Sequence, residues 1–183
     1  MPKVMGKYFL AIVPCEPVFG MTNDLKEKLF EVFGLKYALK SPPHVTLKMP
    51  FLHNEKKERQ MVESLRGFFE QEKSFSLALG GIGSFGNRVA FLKIKYPPEL
   101  KDCQRRLLAF TRVALKKKVE ISDSNYHPHM TLAYRDVKKD QFQQVMDYLG
   151  PRKVKGSFEA REVAVLKKEN GAWVIIDNLK LSG

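Results

Sequence analysis

The sequence predicts an α+β fold of two pseudo-symmetric lobes, in which mostly antiparallel sheets face a central cleft and helices lie on the outside. Three observations support this prediction. The elements follow the order β-α-β-α-β twice and end in a hairpin. A short motif, with a threonine two residues after a histidine, occurs on the second strand of each half. No low-complexity linker interrupts the chain, so we expect residues 1–183 to form a single compact bilobal domain.

The first half contains three predicted strands separated by two predicted helices. The strands are apolar or alternating runs of strand length: Tyr8–Val13, His44–Met49 and Phe75–Leu79. Between the first two strands, either Thr22 or Asn23 can cap a helix that Gly34 ends. Asn54 can cap the second helix, whose apolar side chains recur at helical spacing.

The second half repeats this order and adds the closing hairpin. Five strands are predicted: Val89–Tyr96, the second motif, and roughly Lys153–Glu159, Arg161–Lys168 and Ala172–Leu181. A long helix opens with Pro97-Pro98, where proline is tolerated, and a shorter one ends at Gly150-Pro151. Asn170-Gly171 is a strong hairpin signal between the last two strands.

The two motif strands place the same kinds of side chain on one face. Successive side chains of a strand point to opposite faces. Each strand therefore directs a histidine, a threonine and a cation to one side: His44, Thr46 and Lys48 in the first, and His129, Thr131 and Arg135 in the second. A proline precedes each histidine. One copy is a weak signal, because threonine is common in strands, but two copies in matching positions indicate a functional site.

Two histidines on opposing walls suit in-line displacement at phosphorus. The attacking oxygen loses a proton on one side while the leaving oxygen gains one on the other, so a neutral imidazole and a protonated one act together as base and acid. The sequence does not assign the two roles. We expect Thr46 and Thr131 to bind the phosphoryl oxygens, with Lys48 and Arg135 adding positive charge.

Metal catalysis is the competing chemistry. His127-Pro128-His129 is a His-x-His pair, but no cluster of Asp or Glu lies beside either motif, so we expect no metal and no cofactor.

The glycine-rich passage Gly80–Gly86 lacks the nucleotide P-loop pattern and is predicted as a sharp turn between strands. His53 and His127 are predicted as loop residues.

Charge and aromatic residues point to an anionic, base-containing ligand. Lys and Arg number 32 against 20 acidic residues, for a net charge of +12. This favours nucleic acid as a partner, although a basic soluble surface explains it equally well. Phe85 is a candidate for stacking on a base, and Tyr8, Phe9 and Tyr126 are further candidates.

Cysteine usage and hydropathy bear on the compartment. Cys15 and Cys103 are too few for a disulfide framework, and we expect reduced thiols. The apolar run near the N-terminus is too short for a signal peptide, and no stretch approaches the length of a membrane span. We expect a cytoplasmic monomer with no membrane partner.

The motifs His44-Val-Thr46-Leu and His129-Met-Thr131-Leu resemble those of the 2H phosphoesterase superfamily. The second motif, preceded by His-Pro, is similar in particular to the 2′-5′ RNA ligase-like branch, which includes RNA 2′,3′-cyclic phosphodiesterases. The resemblance extends over most of the chain. It includes Phe-x-Ala in the first strand, Gly-x-x-x-Phe-Gly before the fourth, and the closing hairpin.

This resemblance implies metal-independent hydrolysis of cyclic phosphodiesters in a cleft between two lobes. It also implies that His44 and His129 are catalytic and that Thr46 and Thr131 bind phosphate. The chain departs from the family at one place. Relatives often carry a basic residue five positions after the second histidine, where this chain has a tyrosine followed by Arg135.

Three functional hypotheses follow. The first is a metal-independent phosphodiesterase that opens 2′,3′-cyclic phosphate ends of RNA or small nucleotides, with weak reverse 2′-5′ ligation as a further activity. The second is a non-catalytic module that binds RNA ends or nucleotides. The third is a phosphoesterase acting on a non-RNA cyclic phosphate. The sequence does not choose between the first and third, because the contacts that determine specificity lie in loops.

Overall fold

Alternating and helical runs of apolar residues form eight strands and five helices in the computed structural model, which describes residues 4–183. The strands are β1 Met5–Ile12, β2 Val45–Asn54, β3 Phe75–Phe85, β4 Val89–Lys95, β5 His129–Ala133, β6 Ser157–Ala160, β7 Glu162–Glu169 and β8 Ala172–Lys180. The helices are α1 Val18–Phe33, α2 Glu58–Phe69, α3 Pro98–Ala114, α4 Ile121–Ser124 and α5 Phe142–Leu149. Short 3₁₀ turns occur at Tyr37–Lys40 and Glu55–Lys57.

All eight strands belong to one sheet, in the order β6-β3-β4-β5-β2-β1-β7-β8. Every pair of neighbouring strands is antiparallel. The motif strands β2 and β5 meet at the centre, where Val45 pairs with Met130, and four strands lie in each half. The predicted α+β class, with two pseudo-symmetric halves of antiparallel strands, is confirmed.

The helices interlock the two halves. Helix α1, which leaves β1, packs against β5 of the other half, and α3, which leaves β4, packs against β2. Apolar residues of the strands and helices form one large core on this face of the sheet. Phe9, Ala11, Ala164 and Leu166 form a separate small cluster, with Trp173 packed against it. This second face is where the motif side chains lie.

Several predicted boundaries are confirmed. Gly34 ends α1 with a φ of 73°, in the left-handed region that glycine adopts without strain. The side chain of Asn54 accepts a hydrogen bond from the backbone N–H of Lys56, at the turn that leads into α2. Asn170 and Gly171 have φ values of 47° and 83°, as the tight hairpin between β7 and β8 requires.

Other predicted boundaries are wrong. Helix α1 begins at Val18, directly after a proline, and Thr22 is a fully buried residue of its inner face rather than a cap. His53 lies within β2, not in a loop. Strand β6 begins at Ser157, four residues later than predicted, and the sequence pattern did not predict the short helix α4.

The glycine-rich passage is part of a strand, and its prediction as a turn is wrong. Strand β3 continues through it to Phe85, with an irregular register between Leu79 and Ile82. A Cβ on Gly83 would lie 2.7 Å from the ring of Phe91, so any other residue here would force that ring or the strand to shift. The glycines therefore let side chains of β4 lie across the backbone of β3, a role that composition alone does not reveal.

A buried ion pair fastens α4 to the central strand. The carboxylate of Asp123 accepts hydrogen bonds from the Lys48 ammonium and from the backbone N–H groups of Met49 and Glu120. The Gln104 amide donates to the Asp123 carbonyl, 3.0 Å away. The side chains of Lys48 and Asp123 are 0% and 1% exposed. Removal of one partner would therefore leave the other charge uncompensated in the protein interior.

No helix among residues 4–183 is long and apolar enough to cross a membrane.

We expect Asp123→Ala to lower the free energy of unfolding by about 3–5 kcal/mol, because it leaves the Lys48 ammonium buried without its counter-charge. Lys48→Met should cost less, since the carboxylate keeps two backbone donors. Urea denaturation measures both. Asp102→Ala, in an exposed pair with Arg105, is the control and should change stability by less than about 1 kcal/mol. Equal effects of Asp123→Ala and Asp102→Ala would contradict this role.

Candidate functional site

The two motifs lie side by side on neighbouring strands. Because Val45 pairs with Met130 in antiparallel register, His44 lies opposite Thr131 and Thr46 lies opposite His129. Side chains opposite each other on one face have Cβ atoms about 4.5–5.5 Å apart. All four line one cavity with a volume of about 430 Å³. The structure thus brings the predicted histidines and threonines together, with each histidine beside the threonine of the other motif.

The same backbone contact holds both histidine rings. Nδ1 of His44 lies 2.7 Å from the carbonyl oxygen of Pro42, and Nδ1 of His129 lies 2.7 Å from that of His127. A carbonyl oxygen only accepts hydrogen bonds, so Nδ1 carries the proton and Nε2 is left free. In each motif the residue between the carbonyl and the histidine is a proline, which limits the backbone conformations there. The shared proline therefore helps to orient the ring.

Burial favours the neutral form of both rings. The pKa of His44 falls to about 4, chiefly because the ring is desolvated, with smaller contributions from the charges of Lys26 and His129. The hydrogen bond to Pro42 opposes this decrease. The pKa of His129 is also lowered, first by burial and then by the charge of His127. The charge of His129 thus acts on His44, as expected of groups that share one cavity.

Lys26 is a nearby cation that the motif analysis missed. It is 1% exposed, and its Nζ donates to the carbonyls of Ala38 and Ser41 at 3.1 and 3.0 Å. Burial lowers its pKa to about 8. Ala38 and Ser41 line the cavity, so the hydrogen bonds of Lys26 stabilise the backbone of the cavity wall. The sequence did contain a signal, because this lysine interrupts the apolar stripe of α1.

Lys48 and Arg135, the two predicted phosphate-binding cations, lie outside the cavity lining. Lys48 is buried against Asp123, and the β1–β2 register is irregular on both sides of its partner Leu10. Such irregularities change the direction in which side chains point, so simple alternation no longer predicts the face on which Lys48 lies. Arg135 follows the end of β5 with a φ of 65°, and its guanidinium hydrogen-bonds the Tyr37 hydroxyl at 2.9 Å. The regular alternation on which both predictions relied stops before these residues.

Tyr134 takes the place expected for Arg135 and lines the cavity. Its ring packs edge-on against Tyr37, with centroids 4.9 Å apart, and the Arg135 guanidinium lies over the Tyr37 ring. The carboxylate of Asp136 accepts hydrogen bonds from the backbone N–H groups of Lys36 and Tyr37. Arg135 thus belongs to a cluster that fastens the 3₁₀ turn to the end of β5.

The stacking candidates divide into two groups. Phe85, Phe9 and Tyr126 line the cavity, whereas Tyr8 is fully buried and donates a hydrogen bond to Glu58 at 2.6 Å. Tyr8 is therefore not available to a ligand, and that candidate is wrong. The Tyr126 hydroxyl is buried without a partner, and desolvation raises the pKa of the phenol. Trp173 also lines the cavity, and the sequence analysis missed it.

Among residues 4–183 no group of three or more His, Cys, Asp or Glu side chains is arranged to hold a metal ion. His127 is exposed and lines the cavity close to His129, with ring centroids 6.5 Å apart.

Comparison with known proteins identifies a family and a fold. The model of the 2′-5′ RNA ligase superfamily matches residues 18–172. A Bacillus cytotoxicus protein that carries the name "Putative phosphoesterase" is 26% identical over 183 residues, with 96% of each chain covered. A Bacillus mycoides protein with the same description is 25% identical over the same length and coverage.

Solved structures share the architecture. TT0787 of Thermus thermophilus is 20% identical, with a TM-score of 0.66 over 97% of this chain and 98% of its own. E. coli LigT complexed with 3′-AMP is 18% identical, with a TM-score of 0.66 over 98% of this chain and 100% of its own. At this level of identity the likeness concerns the fold.

The site predicts an unusual titration for its histidines. In an NMR pH titration, the ring of His44 should titrate near pH 4 and that of His129 below 6.5. Lys26→Met should raise the pKa of His44, because it removes a nearby positive charge. Lys28→Met, an exposed change on the same helix, is the control and should leave His44 unaffected. A His44 ring that titrates at 6.5 or above would contradict this description.

Proposed function

Because the chain belongs to the 2′-5′ RNA ligase superfamily, we propose that it is a phosphodiesterase that opens 2′,3′-cyclic phosphate ends of RNA or small nucleotides without a metal. One observation carries the proposal: the register that sets His44 opposite Thr131 and Thr46 opposite His129 on the wall of one cavity. This arrangement supplies two proton carriers and two hydroxyl donors around a single position. Displacement at phosphorus needs these groups.

In the proposed reaction, a phosphate lies between the two Nε2 atoms. His44, whose pKa of about 4 keeps it neutral at pH 7, takes the proton of the attacking water. The water oxygen bonds to phosphorus, one P–O bond of the cyclic ester breaks, and His129 donates a proton to the leaving ribose oxygen. The bound phosphate raises the pKa of His129 and so favours the protonated ring that this step requires.

The threonines are the proposed contacts to the phosphoryl oxygens. Thr46 and Thr131 are partly exposed in the cavity, and neither hydroxyl has a hydrogen-bond partner among residues 4–183. A hydroxyl that is free in the unliganded protein can donate to an oxygen on which negative charge develops. Lys48 and Arg135 lie outside the cavity lining and are therefore not among the proposed direct contacts.

Nucleotides are the ligand class that the comparisons favour. Crystal structures of E. coli LigT contain 3′-AMP, NADP+ and ATP. The aromatic lining and the net charge of +12 fit an anionic ligand that carries a base. The free thiols of Cys15 and Cys103 fit action in the cytoplasm. Reverse 2′-5′ ligation would use the same groups in opposite order.

Substitution of the histidines separates an enzyme from a binding module. His44→Ala or His129→Ala should lower turnover of adenosine 2′,3′-cyclic phosphate by about two to four orders of magnitude, because a proton carrier is lost. The affinity for product should change far less, since proton transfer is needed only in the transition state. Single-turnover rates and equilibrium titrations measure the two effects.

His53→Ala is the matched control, because this histidine lies in β2 outside the cavity lining. If the wild-type protein binds the cyclic phosphate but never opens it, and the motif substitutions only weaken binding, the module hypothesis replaces the enzyme. Turnover of a non-nucleotide cyclic phosphate in preference to every nucleotide would support the third hypothesis instead.

Metal independence has its own test. Turnover should survive exhaustive treatment with a chelator, because two imidazoles and two hydroxyls supply the proposed chemistry and no further ligand is required. Rates before and after chelation, with zinc and manganese added back, are the measurement. Complete loss of activity that either metal restores would overturn this part of the proposal.

A further inference from the structure

An aromatic pair packs beside His44. The ring of Phe9 lies 5.0 Å from the His44 ring and 4.7 Å from that of Trp173. Phe9 is buried, whereas Trp173 is partly exposed and lines the cavity. Lys168, which pairs with Trp173 across the β7–β8 hairpin, places its ammonium 5.1 Å from the indole ring. We call Phe9 and Trp173 the Trp173 platform.

A second aromatic pair packs beside His129. The rings of Phe91 and Phe85 lie 5.0 and 4.9 Å from the His129 ring and 4.3 Å from each other. Phe91 is buried, and Phe85 is 38% exposed and lines the cavity. We call Phe85 and Phe91 the Phe85 platform. Each histidine therefore has a buried phenylalanine beside it, and that phenylalanine packs against a more exposed aromatic ring.

The two platforms lie on opposite sides of the motif strands. Phe9 is on β1 and Phe91 is on β4, and these strands flank the central pair β2 and β5. Neighbouring strands are about 4.8 Å apart, so the two phenylalanine positions are separated by three spacings, or about 14 Å along the sheet. A phosphate held between the histidines would have an aromatic surface on the side of the attacking group and another on the side of the leaving group.

A mononucleoside cyclic phosphate uses only one such surface. Its single base lies on the side of the leaving oxygen, and the attacking water brings no planar group. Aromatic rings that serve only the core are buried, as Phe9 and Phe91 are, but Phe85 and Trp173 keep exposed area inside the cavity. Partly exposed aromatic rings in a cavity with a nearby cation are typical of surfaces that stack bases.

We propose that the site binds a phosphodiester with a nucleoside on each side, and that Phe85 and Trp173 each stack one of the two bases. This inference rests on the proposed function for the position of the phosphate between His44 and His129. The ligand class is thus a dinucleoside phosphodiester, within an oligonucleotide or free. Lys168 lies beside the Trp173 platform, where it can attract a further phosphate of a longer chain.

The test uses one two-base probe and two one-base probes. The phosphodiester of two deoxyadenosines, linked 3′-5′, carries a base on each side and has no ribose hydroxyl that could attack phosphorus. Deoxyadenosine 3′-monophosphate and deoxyadenosine 5′-monophosphate each carry a base on only one side. Equilibrium titrations with the wild-type protein should show tighter binding of the dinucleoside probe than of either mononucleotide.

The substitutions Trp173→Leu and Phe85→Leu should each weaken the dinucleoside probe by about 5- to 150-fold, the measured range for loss of one base stack. Each should weaken only one of the two mononucleotides, and the two should affect different ones. Trp173→Phe should restore most of the affinity, which separates loss of stacking from loss of folding. Phe30→Leu, at an aromatic ring that is 46% exposed on α1 outside the cavity, is the control and should change nothing.

Two results would overturn the inference: both substitutions weakening the same mononucleotide, or neither changing the affinity for the dinucleoside probe. Turnover of adenosine 2′,3′-cyclic phosphate by the wild-type protein is measured in parallel. Two-sided binding without turnover would refute the proposed function and leave the inference intact. Turnover with one-sided binding would refute the inference alone.

Discussion

The pairing of Val45 with Met130 is the constraint on which the site depends. Both side chains are fully buried on the helix-covered face of the sheet, so the residues on either side of them must point to the opposite face. A slip of one residue between β2 and β5 would turn the apolar side chains into the cavity and the histidines into the core. The hydrophobic effect therefore holds the histidines and threonines in their cross-strand arrangement. The helices reinforce it, because each half of the molecule packs a helix beneath the motif strand of the other.

Two buried lysines near the motifs stabilise the backbone rather than present their charge to the cavity. Lys48 is neutralised by Asp123, and the pair fastens α4, which forms part of the cavity wall. Within residues 4–183, Lys26 has two carbonyl partners and no carboxylate partner, so its charge is poorly compensated. A cation of this kind lowers the pKa of His44 and favours a negative ligand nearby. The electrostatics of the site thus come from the scaffold as well as from the motif strands.

Much of the fold could be predicted from the sequence, because local patterns determine it. Strand and helix periodicity identified the order of the elements, and Asn170-Gly171 identified the closing hairpin. The repeated motif identified the two strands that carry the site, but their direct pairing at the centre of one sheet, rather than on opposing walls, came from the tertiary structure. The glycine-rich passage was misread, because glycine favours turns in isolation but here makes room for the ring of Phe91. That contact joins residues on different strands, so it cannot be predicted from the local sequence around the glycines.

The sequence by itself determined that each motif histidine shares a strand face with the threonine two residues after it, since alternation along a strand is a property of the backbone. Only the tertiary structure decided the positions of side chains that strand alternation does not determine. The pairing of β2 with β1 is irregular at Lys48, whose side chain lies outside the cavity lining. Arg135 lies beyond the end of β5, and its guanidinium hydrogen-bonds Tyr37. Trp173, on the closing hairpin far along the chain, lines the cavity, whereas Tyr8 is buried in the core. These positions depend on which strands become neighbours, because the neighbouring strands and helices determine which side chains are buried and which line the cavity.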